Sequence, residues 1–157
     1  MLNFQRIGYE FEDQVHEILI QTKLQVLREK DIVRIYGQNL KGIDHIVYHN
    51  NCIICIQDKT NNTSIVLSTV NHFINSVETI SYTENKRCIG IYLSKSGLTS
   101  PARLSLSDAN TRNRNLFLEL EDLNLENLKY KLIKLLYSNQ IYLYDSDDCI
   151  FMLSDRL

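Results

Sequence analysis

Apolar residues recur every three or four positions at the start of the chain: Phe4, Ile7, Phe11, Val15, Ile18 and Leu19. That spacing lays them along one side of an α-helix and predicts a helix from about residue 4 to 24. The pattern then changes. Asp31 to Tyr36 alternates weakly and is read as a strand, with Gly37-Gln38-Asn39 as the turn after it. Ile43 to Tyr48 is a second strand, His49-Asn50-Asn51 a tight turn, and Cys52 to Lys59 a strongly apolar third strand. Together they predict an antiparallel meander. Helical spacing returns from about Ser68 to Tyr82, with Val70, Phe73, Ile74, Val77 and Ile80 on one side.

The second half repeats this alternation. Cys88 to Leu93 is a buried strand, Ser94 to Gly97 a loop, and Thr99-Ser100-Pro101 opens a short helix, since proline is tolerated in a first turn. Asn115 to Leu120 is a strand, and Leu125 to Tyr137 a helix with Leu128, Leu132, Leu135 and Leu136 inward. Residues 141–157 are expected to form a small hairpin around the acidic turn Asp145, Asp147 and Asp148. The predicted order is α-β-β-β-α-β-α-β-α, an α/β fold with a mixed sheet flanked by helices. Without repeats or a linker, 157 residues suit a single domain 1–157, its core about 4–137 and 138–157 an extension.

Composition narrows the class. The chain is 44% hydrophobic and 23% charged, the profile of a globular protein. Its apolar runs are too short to span a bilayer, and its acidic N-terminal stretch does not read as a secretory signal. A net charge of −2 argues against coating nucleic acid by bulk electrostatics, but not against a local basic surface. Cys52 and Cys55 form a CxxC, a spacing that raises zinc or redox chemistry. In an extended strand, residues three apart point to opposite faces, so these thiols are read as buried and reduced. A reducing compartment, cytoplasm or nucleus, is therefore expected, with no membrane association.

Candidate chemistry collects around the meander. Gly42-Ile43-Asp44 opens its second strand and Gln57-Asp58-Lys59 closes the third. Alternation puts Gln57 and Lys59 on one face and Asp58 on the other. Glu12 lies beside the apolar stripe of the first helix, one turn before Val15 and His16. Phosphodiester hydrolysis needs a cation to neutralise the phosphate and a nucleophile available near neutral pH. Mg²⁺ prefers oxygen ligands and retains waters, so one or two carboxylates suffice. Asp44 is the expected principal ligand, Gln57 a neutral amide ligand and Glu12 a direct or water-mediated one. Lys59 would hold the attacking water and oppose charge growing on the phosphate. His16 is read as a surface residue, whereas His45 faces the core.

These motifs resemble the PD-(D/E)xK nuclease superfamily, in its Mrr-like restriction endonuclease and Holliday-junction-resolvase-like branch. The resemblance rests on Gly8-Tyr9-Glu10-Phe11-Glu12-Asp13-Gln14-Val15, on Gly42-Ile43-Asp44 and on Gln57-Asp58-Lys59. The segment from Gly90 to Ala102 and the elements from Asn115 to Leu136 extend it, so that it covers residues 4–137. It implies a restriction-endonuclease-like fold and a Mg²⁺-dependent endonuclease on DNA, with Mn²⁺ able to substitute. The catalytic set would be Asp44, Gln57, Lys59 and Glu12. Junction-resolving, repair and restriction-type activities all fit, as does a homodimer, because two strands call for two sites. Tight sequence specificity would need a separate partner protein.

One residue departs from the pattern. The middle position of Q-x-K is usually small or apolar, and here it is Asp58. Asp58 can sit at an exposed strand end, pair with a nearby base, or act as a further metal ligand in a rearranged site. The rival reading is a catalytically degenerate module for nucleic-acid or protein binding. For phosphate contact the candidates are Ser94, Lys95 and Ser96 in the loop after the fourth predicted strand. Arg103, Arg112 and Arg114, flanking the next helix, complete that set.

Overall fold

The computed structural model describes residues 2–40, 42–112, 114–121 and 125–143. Residues 1–122 form one compact unit and 123–157 a second. The first unit contains α1 (Leu2–Ile20), β1 (Gln25–Arg28), α2 (Glu29–Tyr36) and a 3₁₀ turn at Gln38–Leu40. It continues with β2 (His45–Tyr48), β3 (Ile53–Lys59), α3 (Leu67–Glu84), β4 (Cys88–Ser94), α4 (Ser100–Arg112) and β5 (Leu116–Glu121). The second unit contains α5 (Leu125–Tyr137), where Leu128, Leu132, Ile133 and Leu136 are buried and the Tyr137 and Tyr142 rings meet edge to face. The expected C-terminal hairpin, including Asp145, Asp147 and Asp148, lies outside the described residues. No described helix is long and apolar enough to cross a membrane.

The sheet is mixed, as the pattern predicts, and runs in the order β1-β2-β3-β4-β5. The first three strands are antiparallel; β3, β4 and β5 are parallel, joined by the α3 and α4 crossovers. Ile53 to Asp58 and all of β4 are buried, the mark of strands covered on both faces. On one face, Ile53 and Cys55 join a core with Phe73, Ile74 and Val77 of α3. Phe73 meets Tyr92 of β4 edge-on at 5.2 Å and Phe117 of β5 at 6.4 Å. The other face carries His45 and Asp58, with His16 of α1 stacked on the His45 ring.

In helix α1 the predicted stripe is borne out at Phe11, Val15 and Leu19, which are buried, with Ile18 partly buried; the side chains of Phe4 and Ile7 lie outside the described residues. Burying each such side chain contributes about 1.5–3 kcal/mol. The helix stops at Ile20, earlier than the periodicity suggests. Thr22 Oγ1 donates to the Leu19 carbonyl at 2.6 Å, and Lys23 enters the left-handed region with φ 62°. The strand β1 that follows begins just beyond the expected helix, and the sequence reading misses it. QVLR is too short to show alternation, and it exists as a strand because Val26 and Leu27 pair with Val47 and Ile46 of β2.

The strand expected at Asp31–Tyr36 is instead part of helix α2. Its β-branched residues mimic a strand, but Glu29 and Asp31 favour a helix N-terminus electrostatically. Only Ile32 is fully buried, and Ile35 is 53% exposed, so one turn of the pattern touches the core. Gly37, at φ 106°, ends the helix in a conformation that few other residues adopt. The meander survives with a different first strand. The helix after Pro101 is longer than expected, at 13 residues.

Candidate metal centre

The site forms where the β2–β3 hairpin meets α1. Asp44 immediately precedes β2, and its backbone N–H still donates to the Ile56 carbonyl of β3 at 2.9 Å. Its side chain turns back along the hairpin, where Oδ2 accepts the Asp58 backbone N–H at 2.9 Å. Gly42 gives the approach its room: a Cβ there would stand 2.8 Å from His72 Cδ2, so a larger residue would displace that imidazole.

Gln57 and Lys59 face α3, as alternation predicts. The Gln57 amide satisfies both of its ends in one orientation only. Its nitrogen then donates to Asp44 Oδ2 at 3.2 Å and to the Gly42 carbonyl at 2.5 Å, and its oxygen accepts from Lys59 Nζ at 3.2 Å. A single amide therefore spans the gap between Asp44 and Lys59, and its oxygen is engaged by the lysine. Gln57 and Lys59 also line a cavity of about 240 Å³ with His72, Phe73 and Tyr92. The Tyr92 hydroxyl is buried with no hydrogen-bond partner among the described residues.

On the other side of the hairpin, Glu12 of α1 reaches Asp44 and Asp58, and one oxygen from each lies within 4.8 Å of the others. Asp58, the position that departs from the motif, is thus part of the cluster. It is buried and paired, not at an exposed strand end: His45 Nε2 lies 2.8 Å from its Oδ2. His45 is in the core as expected. His16 departs from the surface reading, being half-buried and stacked on His45 at 6.5 Å between centroids, with planes 20° apart.

Crowding three acids out of water makes each reluctant to ionise. Burial pushes Asp44 up to about 7, and the charge of Asp58 adds to the rise. Burial raises Asp58 to about 7 as well, with Glu12 next in importance. Glu12 rises through burial and then through Asp44. His45 moves the other way, to about 4, because its charged form would be desolvated. Opposing these rises are the Asp58 N–H on Asp44 and the nearby charge of Lys59.

Such a cluster can hold a divalent cation. All three side chains offer hard oxygen donors, the set that suits Mg²⁺, Mn²⁺ or Ca²⁺ better than zinc. The thiols play no part in it. Cys52, Cys55 and Cys88 are free and buried, and burial raises Cys52 to about 11, deep in its thiol form.

The residues proposed for phosphate contact are distributed unequally. Lys95 follows Ser94, the partner of Lys59 in the β3–β4 register, and its backbone N–H donates to the Lys59 carbonyl at 3.0 Å. Its exposed ammonium donates to Asn62 Oδ1 at 3.2 Å. Ser96 Oγ donates to the Asn61 carbonyl at 2.6 Å, and Ser94 is buried. Arg103 is held by Glu119 and Glu121. Arg114 donates to the Ser81 carbonyl at 2.9 Å near the end of α3. The Arg112 side chain lies outside the described residues.

No protein-family model and no curated protein sequence matches the chain. Among solved structures, a repair endonuclease from Pyrococcus abyssi aligns with 52% of this chain and 33% of its own, at 17% identity and a TM-score of 0.39. A structure described as an EndoMS–dsDNA2 complex aligns with 52% and 32%, at 18% identity and a TM-score of 0.39. The aligned part is thus about a third of either protein's length.

Proposed function

We propose that the chain is a divalent-metal-dependent endonuclease of the PD-(D/E)xK type that hydrolyses phosphodiester bonds in DNA. The observation that carries this reading is the convergence of Glu12, Asp44 and Asp58 within 4.8 Å, with Lys59 joined to Asp44 through Gln57. A cluster of raised carboxyls beside an ammonium group is what a cation site looks like before its charge is balanced.

Asp44, Asp58 and Glu12 would hold the ion, which we take to be Mg²⁺, with Mn²⁺ able to substitute. When bound, such an ion supplies Lewis acidity and lowers the pKa of water. Lys59 places positive charge where the phosphate oxygens become more negative during attack. Gln57 fixes the orientation of that ammonium through its oxygen and of Asp44 through its nitrogen, a role distinct from the ligand role expected of it. Lys95, exposed at the end of β4 beside Lys59, is suited to a neighbouring phosphate. A homodimer would bring two such sites to two strands.

The test is cleavage of plasmid, single-stranded and four-way-junction DNA with Mg²⁺ or Mn²⁺. Asp44→Ala and Lys59→Ala should each lower the rate by at least about a hundredfold. Absence of cleavage by the wild type on every substrate would favour a binding module. Cleavage that survives both substitutions would place the active site elsewhere.

A further inference from the structure

Asp58 poses a problem that the proposed chemistry does not solve by itself. It is a buried carboxylate beside two others, and a cation balances its charge only if its oxygen is aimed at the ion. The backbone does not guarantee that aim, because alternation along β3 turns Asp58 away from Gln57 and Lys59. Something on the α1 face must fix it.

His45 is built to do so. It pairs with Ile56 across the β2–β3 register, which puts its side chain on the same face as Asp58 and one step along. Its Nε2 lies 2.8 Å from Asp58 Oδ2, and the two side chains are 1% and 3% exposed, so water cannot compete for the bond. The His16 ring lies beside it and nearly parallel, with centroids 6.5 Å apart and planes 20° apart. The other His45 nitrogen, Nδ1, is buried and has no hydrogen-bond partner among the described residues, which suits a bare nitrogen in a neutral ring protonated on Nε2. A hydrogen on Nδ1 would instead be a buried donor without an acceptor, a costly arrangement.

We propose that His45 is a positioning residue of the metal centre. As the neutral Nε2–H tautomer it donates to Asp58 Oδ2, fixes the orientation of that carboxyl group and leaves its second oxygen for the cation. Asp58 thereby becomes the third carboxylate ligand, and Gln57 is released to bridge Asp44 and Lys59. The inference rests on the reading of Glu12, Asp44 and Asp58 as a cation site.

Titrating the full-length protein with Mn²⁺, followed by electron paramagnetic resonance of the free ion, separates the two ideas. Wild type should bind, and Asp44→Asn and Asp58→Asn should each lose most of that binding. His45→Ala should bind about 10- to 100-fold more weakly, the usual effect of removing a hydrogen bond to a metal ligand. His45→Gln, whose amide can still donate, should recover most of the loss and also guards against a variant that fails to fold. ¹⁵N NMR of the His45 ring should show a protonated Nε2 and a bare Nδ1 in the wild type. If Asp44→Asn abolishes binding while His45→Ala binds like wild type, the positioning role is overturned and the site stands. If wild type does not bind, or binds as well as Asp44→Asn, the site itself fails. A ring protonated on Nδ1 would overturn the proposed tautomer and the role built on it.

Discussion

Stripping divalent cations and raising the pH should destabilise this protein, and restoring a cation should reverse the loss. Asp44 and Asp58 are each raised from 3.8 to about 7, which penalises the ionised form of each by about 4 kcal/mol at 1.36 kcal/mol per pH unit. Between those values the folded state keeps protons that the unfolded chain has released, so stability falls as pH rises. The contribution is fully present below about pH 4 and gone above about pH 7. His45 acts in the opposite sense. Lowered from 6.5 to about 4, it lets the unfolded state take up a proton first, so it costs stability as pH falls through that range. The two effects partly cancel below about pH 6.5, and only the carboxyls act above it. From about pH 5 to about pH 8 the net loss is roughly 3 kcal/mol. For a chain of this size that lowers the melting temperature by roughly 6 to 12 °C. Thermal melts in EDTA across this range, repeated with Mg²⁺ or Mn²⁺, measure it. The cation should raise the melting temperature far more at about pH 8 than at about pH 5, because at low pH it must displace protons. A melting temperature that is flat or rises toward pH 8 in EDTA, with equal metal responses at both ends, would refute the crowded-carboxylate account.

Other substitutions probe the surroundings. Tyr92→Phe removes a buried hydroxyl without a partner among the described residues, so stability should be unchanged or higher by up to about 1 kcal/mol in chemical denaturation. A clear loss of cleavage without loss of stability would instead put that hydroxyl on the substrate. Leu19→Ala, at a fully buried position in the last turn of α1, should cost about 2–5 kcal/mol by the same measurement. Lys95→Ala should weaken DNA binding and reduce its salt dependence in a fluorescence anisotropy titration, whereas Arg103→Ala, already engaged by Glu119 and Glu121, should leave both unchanged.

Much of this architecture was legible in order and spacing. The four-residue repeat Phe11, Val15, Leu19 fixes a buried helical stripe whatever the partner is, because 3.6 residues per turn leaves no other arrangement. Period-two alternation likewise decides that Gln57 and Lys59 share a face and that Asp58 does not, and the structure agrees. Elements whose identity depends on partners were not legible. QVLR becomes a strand only because β2 lies beside it, and Asp31–Tyr36 becomes a helix because a charged first turn and Ile32 outweigh its β-branched residues. The candidate metal centre divides the same way. Its motifs and the residues Glu12, Asp44 and Lys59 can be read along the chain. Only the folded hairpin decides that Asp58 joins the acids, that His45 and His16 stand behind it, and that the Gln57 oxygen faces Lys59. The contacts of Asp58 with Glu12, Asp44 and His45 join residues 13 to 46 positions apart, where distance along the chain carries no information about distance in space.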